Sequence, residues 1–347
     1  MLGSPFQYLQ TPHTDISIGP HSDLKMLFAR PCCNTIRSCY IIRRRHNNNN
    51  NHNADIVDKK IAYRLVTKQF EEWRDSIRPV RPGGHDNKTY RLGEDKLLRF
   101  PSKREFAAQV EKEQLLLPRL RPSLPLDVPE PIGLGEPGCG YPYRWSIYRW
   151  LEGDALSSVQ MPISEQERLA ETLAKFLIAL QKIDTTAGLP PGPHNFHRGG
   201  SLLVYDNETR EALDRLRDRI NTDYAIHVWE EGLQSKWRKE PVWVHGDIKT
   251  DNLLVRGNQR SKELAAVIDF GMLAVGDPAC DLTMYWTFFK GNARRVFRDT
   301  LILDEDTWKR ARAWTLWKAL IIEAQMTKTN SSERRYSRCV IDTIVNE

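Results

Sequence analysis

Residues 242–281, VWVHGDIKTDNLLVRGNQRSKELAAVIDFGMLAVGDPACD, constrain this chain more than any other stretch. Polar residues sit at the rims of short apolar runs there: Asp247 after WVH, Asn252 before LLV, and Asp269 after AAVI. An ionisable group at the end of an apolar strand is costly unless something pairs with it. For two oxygen donors at such rims the natural partner is a divalent cation carrying a phosphate.

The local geometry follows from the pattern. Residues 253–255 and 264–268 read as strands joined by a long polar loop that contains Gly257, Asn258 and Ser261. Antiparallel pairing places Asn252, at the start of one strand, opposite Asp269, at the end of the other. An amide oxygen and a carboxylate then converge on one point, a donor set that suits Mg²⁺. Asp247 lies five residues before Asn252 across a tight loop. It is placed to accept a proton from a hydroxyl that attacks the phosphate.

His245-Gly246-Asp247 with Asn252, then Ile268-Asp269-Phe270-Gly271, then Gly276-Asp277-Pro278-Ala279-Cys280-Asp281, resembles the aminoglycoside phosphotransferase family. The resemblance runs from about residue 55 to the C-terminus. It departs at Lys249, where the family commonly has a second histidine. It implies an α+β, two-lobed, protein-kinase-like fold, with a small β-rich N-lobe and a larger α-helical C-lobe. The expected division is a disordered extension over 1–54, a nucleotide-binding lobe over 55–150, and a catalytic and substrate-binding lobe over 151–347. ATP and Mg²⁺ are the cofactors implied, with Asp247 as base and Asn252 and Asp269 as metal ligands. His245 reads as a packing residue that bonds backbone carbonyls. Asp281 reads as a cap on the following helix that also bonds back to the HGD loop.

Upstream, GGHDNKTYRLGEDKLLRFP resembles the same family's nucleotide-binding loop, which assigns Gly83, Gly84 and Asn87 to the nucleotide. Paired glycines at a strand turn let backbone N–H groups approach a phosphate closely. Arg99 stands in the strand 96–100 where a kinase fold places its phosphate-contacting lysine, and a guanidinium can grip phosphate oxygens in pairs. A helix over 105–117, ended by Pro118, offers Glu113 or Glu111 as the acid that steadies Arg99. The strand 143–151, YRWSIYRWL, leads into the hinge, and the resemblance assigns the adenine contact to backbone near Trp150 and Leu151. Its aromatic residues Trp145 and Tyr148 read as core.

Other elements are read from periodicity. A helix is expected over 59–77. Another runs over 164–183, with Ser164 and Glu167 as a capping box and Leu169, Leu173, Phe176 and Leu180 as its buried face. Further helices are expected over 205–220, 224–236 and 307–328, the last with Trp314, Trp317 and Leu320 in the core. The loop 185–200 carries His194, Asn195 and His197 without companion metal ligands.

Charge and cysteine usage narrow the function classes. The net charge is +6, and residues 1–55 hold six Lys/Arg against three Asp/Glu, so the body is only slightly basic. A dedicated nucleic-acid binder would cluster its basic residues on one face. No apolar run is long enough to span a bilayer. Cys32, Cys33, Cys39, Cys139, Cys280 and Cys339 show no zinc spacing, as expected of thiols in a reducing cytosol. The segment 1–54, with Arg43–Arg45 and a run of asparagines, is too polar to bury a core. The expected activity is transfer of the γ-phosphoryl group of ATP to a hydroxyl of a small molecule, aminoglycoside-like or a related metabolite. A choline, homoserine, sugar or macrolide kinase of the same fold is the alternative, followed by a catalytically silent kinase-like binding protein. Glu230, Glu231, Asp304, Glu305 and Asp306 are the acidic residues that could serve a polycationic acceptor. No nucleic-acid or membrane partner is expected.

Overall fold

Alternation builds the first sheet. In KLLRFP, Leu98 and Phe100 are fully buried on one face, and Leu97 and Arg99 project from the other. The computed structural model describes residues 57–81, 83, 86–258 and 261–347. Strands β1 (Ile77–Pro79), β2 (Asn87–Leu92), β3 (Lys96–Pro101), β4 (Pro131–Gly135) and β5 (Trp145–Arg149) form an antiparallel sheet in the order β1-β2-β3-β5-β4. Register places Arg99 between Thr89 of β2 and Ser146 of β5. Helix α1 (Lys59–Gln69) contributes Leu65 and Val66 to a small core with Leu98, Phe100, Tyr141, Trp145 and Ile147. Phe100 stacks on Trp145 at 4.8 Å. Helix α2 (Arg104–Leu120) lies on the sheet's other face, so Arg99 points at it.

The chain then crosses to a larger, mainly helical lobe. The connector is extended from Leu124 and pairs with the second lobe: Asp127 N donates to Ala265 O, and Val267 N donates to Asp127 O. Strands β6 (Asp154–Ala155), β8 (Leu253–Gly257) and β9 (Lys262–Val267) form one small sheet, and β7 (Val242–Val244) pairs with β10 (Ala274–Gly276). Helices α3 (Ile163–Gln181), α4 (Asp206–Arg215), α5 (Thr222–Gln234), α6 (Met284–Thr287), α7 (Asn292–Leu301), α8 (Glu305–Glu323) and α9 (Ser331–Val345) supply most of the large core. In α3, Leu169, Leu173, Phe176 and Leu180 are buried, and in α8 so are Trp314, Trp317 and Leu320. Each such side chain contributes about 1.5–3 kcal/mol on burial. No helix among the described residues is long and apolar enough to cross a membrane.

Several sequence expectations are corrected here. The helix expected over 59–77 stops at Gln69, because Phe70 leaves helical geometry (φ −141°) and Ile77 enters β1. Helix α2 does not end before Pro118. It continues to Leu120 because Leu116, Leu117 and Leu120 are buried in the large core, and that packing outweighs the proline's missing donor. The Ser164–Glu167 box is absent: α3 begins one residue earlier, on Pro162, with no side-chain cap. The helix expected over 205–220 is trimmed to α4, and that expected over 307–328 starts two residues earlier and ends five residues sooner, as α8. The strand expected over 143–151 shortens to β5. Residues 1–56, including the expected disordered extension and Cys32, Cys33 and Cys39, lie outside the described residues, as does Gly84.

Candidate active site

The site forms where β3 and α2 meet the β8–β9 hairpin. Asn252 lies next to β8 and accepts from Ile268 N through its backbone oxygen (2.9 Å), so Asn252 and Asp269 stand side by side at the hairpin's open end. Asp269 adopts a left-handed conformation (φ 66°, ψ 69°). For a non-glycine residue this costs on the order of 1 kcal/mol or more, and such strain gathers at functional sites. It turns the carboxylate away from the strand, toward Arg99. The next residues hold it there: Phe270 is fully buried against His245 (ring centroids 4.6 Å), and a Cβ on Gly271 would come within 2.7 Å of the Gln109 side chain. A side chain there would displace the end of the Gln109 side chain from its seat on α2.

Arg99 joins the lobes. Its Nη1 reaches Glu113 Oε1 and Oε2 at 3.0 and 2.9 Å, and its Nη2 reaches Asp269 Oδ1 at 2.8 Å. Burial opposes the guanidinium's charge, but Glu113 and Asp269 outweigh it, and the net shift is upward. Glu113 is nearly inaccessible and also accepts a short hydrogen bond from Tyr148 Oη. Glu111 points elsewhere, toward Arg144 at 3.6 Å. The sequence reading missed Tyr148, which lies two residues from Ser146 on β5 and hence on the same face as Arg99.

Asp247 lies on the large-lobe side. Asn252 Nδ2 donates to its backbone oxygen (2.9 Å) and to its Oδ2 (3.0 Å), and Lys249 Nζ lies 2.7 Å from Oδ2. The amide nitrogen of Asn252 is thus engaged, and its oxygen is the atom left for a cation. Burial acts to raise the pKa of Asp247, but Lys249, helped by Arg198 and His245, more than offsets it, and the carboxyl is held below its ordinary range. Beneath the loop, the buried Asp281 accepts from Gly246 N and His245 N, both at 2.7 Å. His245 accepts from Asp247 N through Nδ1 (3.2 Å) and donates from Nε2 to Ile268 O (3.0 Å). The expected cap by Asp281 is not formed. Helix α6 starts at Thr283 with no side-chain cap, because both carboxylate oxygens face the HGD loop. Cys280 is buried, and burial pushes its thiol pKa well up, which leaves no nucleophile there.

The remaining assigned residues are spread along the small lobe. Gly83 is exposed, and Asn87 is buried at the start of β2. Trp150 and Leu151 follow β5. Trp150 N donates to Asp95 O (2.7 Å), so at this position only the carbonyl is available to a base. The Arg91 guanidinium covers the Trp150 ring at 4.2 Å. In the loop 188–200, Asn195 is fully buried and holds backbone: Oδ1 accepts from Gly192 N, and Nδ2 donates to Arg198 O and Met272 O. His194 bonds Pro190 O. Among the described residues, Glu230, Glu231, Asp304 and Glu305 each face a neighbouring cation: Arg210, Lys309, Lys239 and Arg298.

The donor set fits a hard cation held partly by a ligand's phosphates. Asn252 and Asp269 offer oxygen donors at the same end of the hairpin, and no group of three or more His, Cys, Asp or Glu among the described residues could hold a metal alone.

Comparison with known proteins agrees with this geometry. The profile of the Phosphotransferase enzyme family (APH) matches residues 76–314. The fold is similar to the GDP complex of an aminoglycoside 2'-phosphotransferase-IIIa, with TM-score 0.62, 19% identity, and coverage of 83% of this chain and 99% of that one. It is also similar to macrolide 2'-phosphotransferase type I, with TM-score 0.56, 19% identity, and coverage of 82% and 98%. A streptomycin–ATP complex of APH(2")-IIa gives TM-score 0.55 at 16% identity, covering 84% and 97%. One curated relative, the lysine-specific demethylase JMJ21 of Arabidopsis thaliana, is 29% identical over 96 residues. That match covers 24% of this chain and only 10% of the relative's length. With 69% of its length, a two-lobed kinase-like fold and the HGD and DFG loops in one site, the chain belongs to the phosphotransferase enzyme family.

Proposed function

We propose that the protein transfers the γ-phosphoryl group of ATP, with Mg²⁺, to a hydroxyl of a small molecule. The observation that carries this is the position of Asp247, a carboxylate kept ionised by Lys249 and tied to Asn252 beside Asp269. The acceptor oxygen attacks the γ-phosphorus, its proton passes to Asp247 Oδ, and the bond to the β–γ bridging oxygen breaks to release ADP. When bound, Mg²⁺ supplies charge neutralisation at the phosphates, and Asn252 Oδ1 and Asp269 are the residues to hold it. Arg99, clamped by Glu113, steadies the phosphates, and Gly83 and Asn87 are the described residues of the loop assigned to them. The hinge carbonyls near Trp150 and Leu151 face the base. Phosphoryl transfer depends mainly on positioning and electrostatic stabilisation.

The nucleotide is supported by the relatives, whose structures are complexes of GDP, ATP and ADP. Among the described residues Cys139, Cys280 and Cys339 form no disulfide, which supports a reducing, cytosolic setting. The test is ADP release from Mg·ATP, and in parallel GDP release from Mg·GTP, against aminoglycosides, macrolides, choline, amino alcohols, sugars and sugar acids. Acceptor-dependent release that chelation of Mg²⁺ abolishes is the expected result. Nucleotide binding without turnover across the whole panel would leave a silent binding protein in its place.

A further inference from the structure

The wall beside Asp247 carries two cations, Arg198 and Lys318, that form no direct ion pair among the described residues, although Asp247 and Glu208 act on them at longer range. Arg198 is half-buried, and a Cβ on Gly246, the residue before Asp247, would fall 3.1 Å from the Arg198 Cβ. Its guanidinium rests on tryptophan rings, 4.8 Å from the Trp317 centroid and 5.4 Å from that of Trp314. It makes no hydrogen bond or ion pair to any described residue. Lys318 approaches the same Trp317 ring at 5.7 Å and likewise has no ion pair among the described residues. The indole N–H of Trp314, buried under the guanidinium, has no acceptor there either.

This arrangement is braced. Trp317 donates to Glu208 at 2.7 Å and stacks on Tyr205 at 3.9 Å. Asn195 fixes the Arg198 backbone oxygen at 2.8 Å, and Gly199 O accepts from Asp277 N at 2.8 Å. A rigid aromatic floor thus presents two cations toward the reacting carboxylate. Cation–π contact holds a guanidinium in place without neutralising its charge. Glu208 and Asp247 are the nearby carboxylates, and neither forms an ion pair with Arg198 or Lys318. The Lys318 side chain is exposed, yet the protein packed around it, together with Arg198, pushes its ammonium down to about 8, against Asp247 and Glu208, which act to raise it. Of the five acidic residues that could serve a polycationic acceptor, Glu230, Glu231, Asp304 and Glu305 already face other cations, and Asp306 alone among them has no ion pair with a described residue.

We propose that Arg198 and Lys318, on the Trp314–Trp317 floor, form an anion site for the phosphoryl acceptor, so that the substrate is a hydroxyl compound bearing a carboxylate or phosphate group rather than a polycation. The proposal rests on the reading of Asp247 as the base. Unpaired cations in a cleft favour anionic ligands and repel cationic ones.

The experiment is a thermal-melting titration of the full chain. Mg²⁺ and a non-hydrolysable ATP analogue are added first, and their own shift tests nucleotide binding separately. Sulfate, standing for a phosphate group, or acetate, standing for a carboxylate, is then titrated against chloride at equal ionic strength. The expected result is a further saturable rise in Tm with at least one of the two oxyanions, and the stronger one names the acid class. Arg198→Gln weakens that apparent affinity about tenfold or more, because a charge-assisted contact is lost. Arg198→Lys restores part of it. Should Arg198→Gln fail to fold, Lys318→Gln, at an open position, gives the same reading with a smaller loss. The proposal is overturned if neither oxyanion adds a shift, if the shift survives both variants unchanged, or if kanamycin stabilises the loaded chain more than either oxyanion does.

Discussion

Two arginines flank the reacting centre, and their surroundings are opposites. Arg99 projects from a central strand and is held by Glu113 and Asp269, with Tyr148 completing the shell of Glu113. Arg198 projects from a loop and is held by two indole rings and no carboxylate. The first has its charge balanced by the protein and its direction fixed by two-point contact. The second has its position fixed but its charge left open. A balanced cation is a clamp that is ready before any ligand arrives, whereas an unbalanced one selects what arrives. On the proposed reading, the phosphate side of the cleft is therefore generic, and the acceptor side carries the specificity.

The contrast can be broken at its centre first. Asp247→Asn should lower kcat about 10³-fold while nucleotide binding, followed by calorimetry, stays close to that of the wild type. Near-normal turnover would remove Asp247 as the base and dissolve the distinction between the two sides.

Glu113→Ala should leave Arg99 buried with one partner. Removing one member of a buried ion pair costs about 3–5 kcal/mol, readable in chemical denaturation, and nucleotide affinity should fall with it. Little loss of either would mean that Arg99 is no better supported than Arg198. Asp281→Ala should strip the Gly246 and His245 amides of their acceptor, at about 3 kcal/mol in stability, with a fall in kcat as the HGD loop loosens. An unchanged kcat would show that the loop holds its shape without Asp281.

The smallest effect is a pH shift. Asp247 is held below the ordinary carboxylate range, so the base stays ionised and kcat/KM should hold level until the pH falls beneath that range. Lys249→Met removes the main opposing charge and leaves burial to act, so the acid limb of kcat/KM should move to higher pH. A profile that does not move would place the control of Asp247 with Arg198 instead.

The local order of HGD, Asn252 and DFG was legible in the sequence because each role there depends on a few consecutive residues and one hairpin. Strand alternation in KLLRFP likewise put Arg99 on the face opposite Leu98 and Phe100. Glu113 was distinguishable in principle: it falls in the stripe of Phe106, Val110 and Leu117, where a charge needs a buried partner, while Glu111 falls outside it. The helix ends were less legible. Pro118 and Ser164 carry strong local signals that burial of Leu120 and the entry at Pro162 override.

Segments 119 and 170 residues apart meet only in the folded chain. Nothing in the spacing of Arg99 and Asp269 says that they share an ion pair, and nothing in PHNFHRGG says that its arginine will lie on tryptophans of α8. What chain order alone made readable was the chemistry on offer, a carboxylate proposed as base, two oxygen donors proposed for a cation and a strand arginine, because these reside in short motifs with local geometry. The tertiary structure alone decided which cations are neutralised and which are left open, because charge balance is a sum over neighbours that packing, not chain order, brings together.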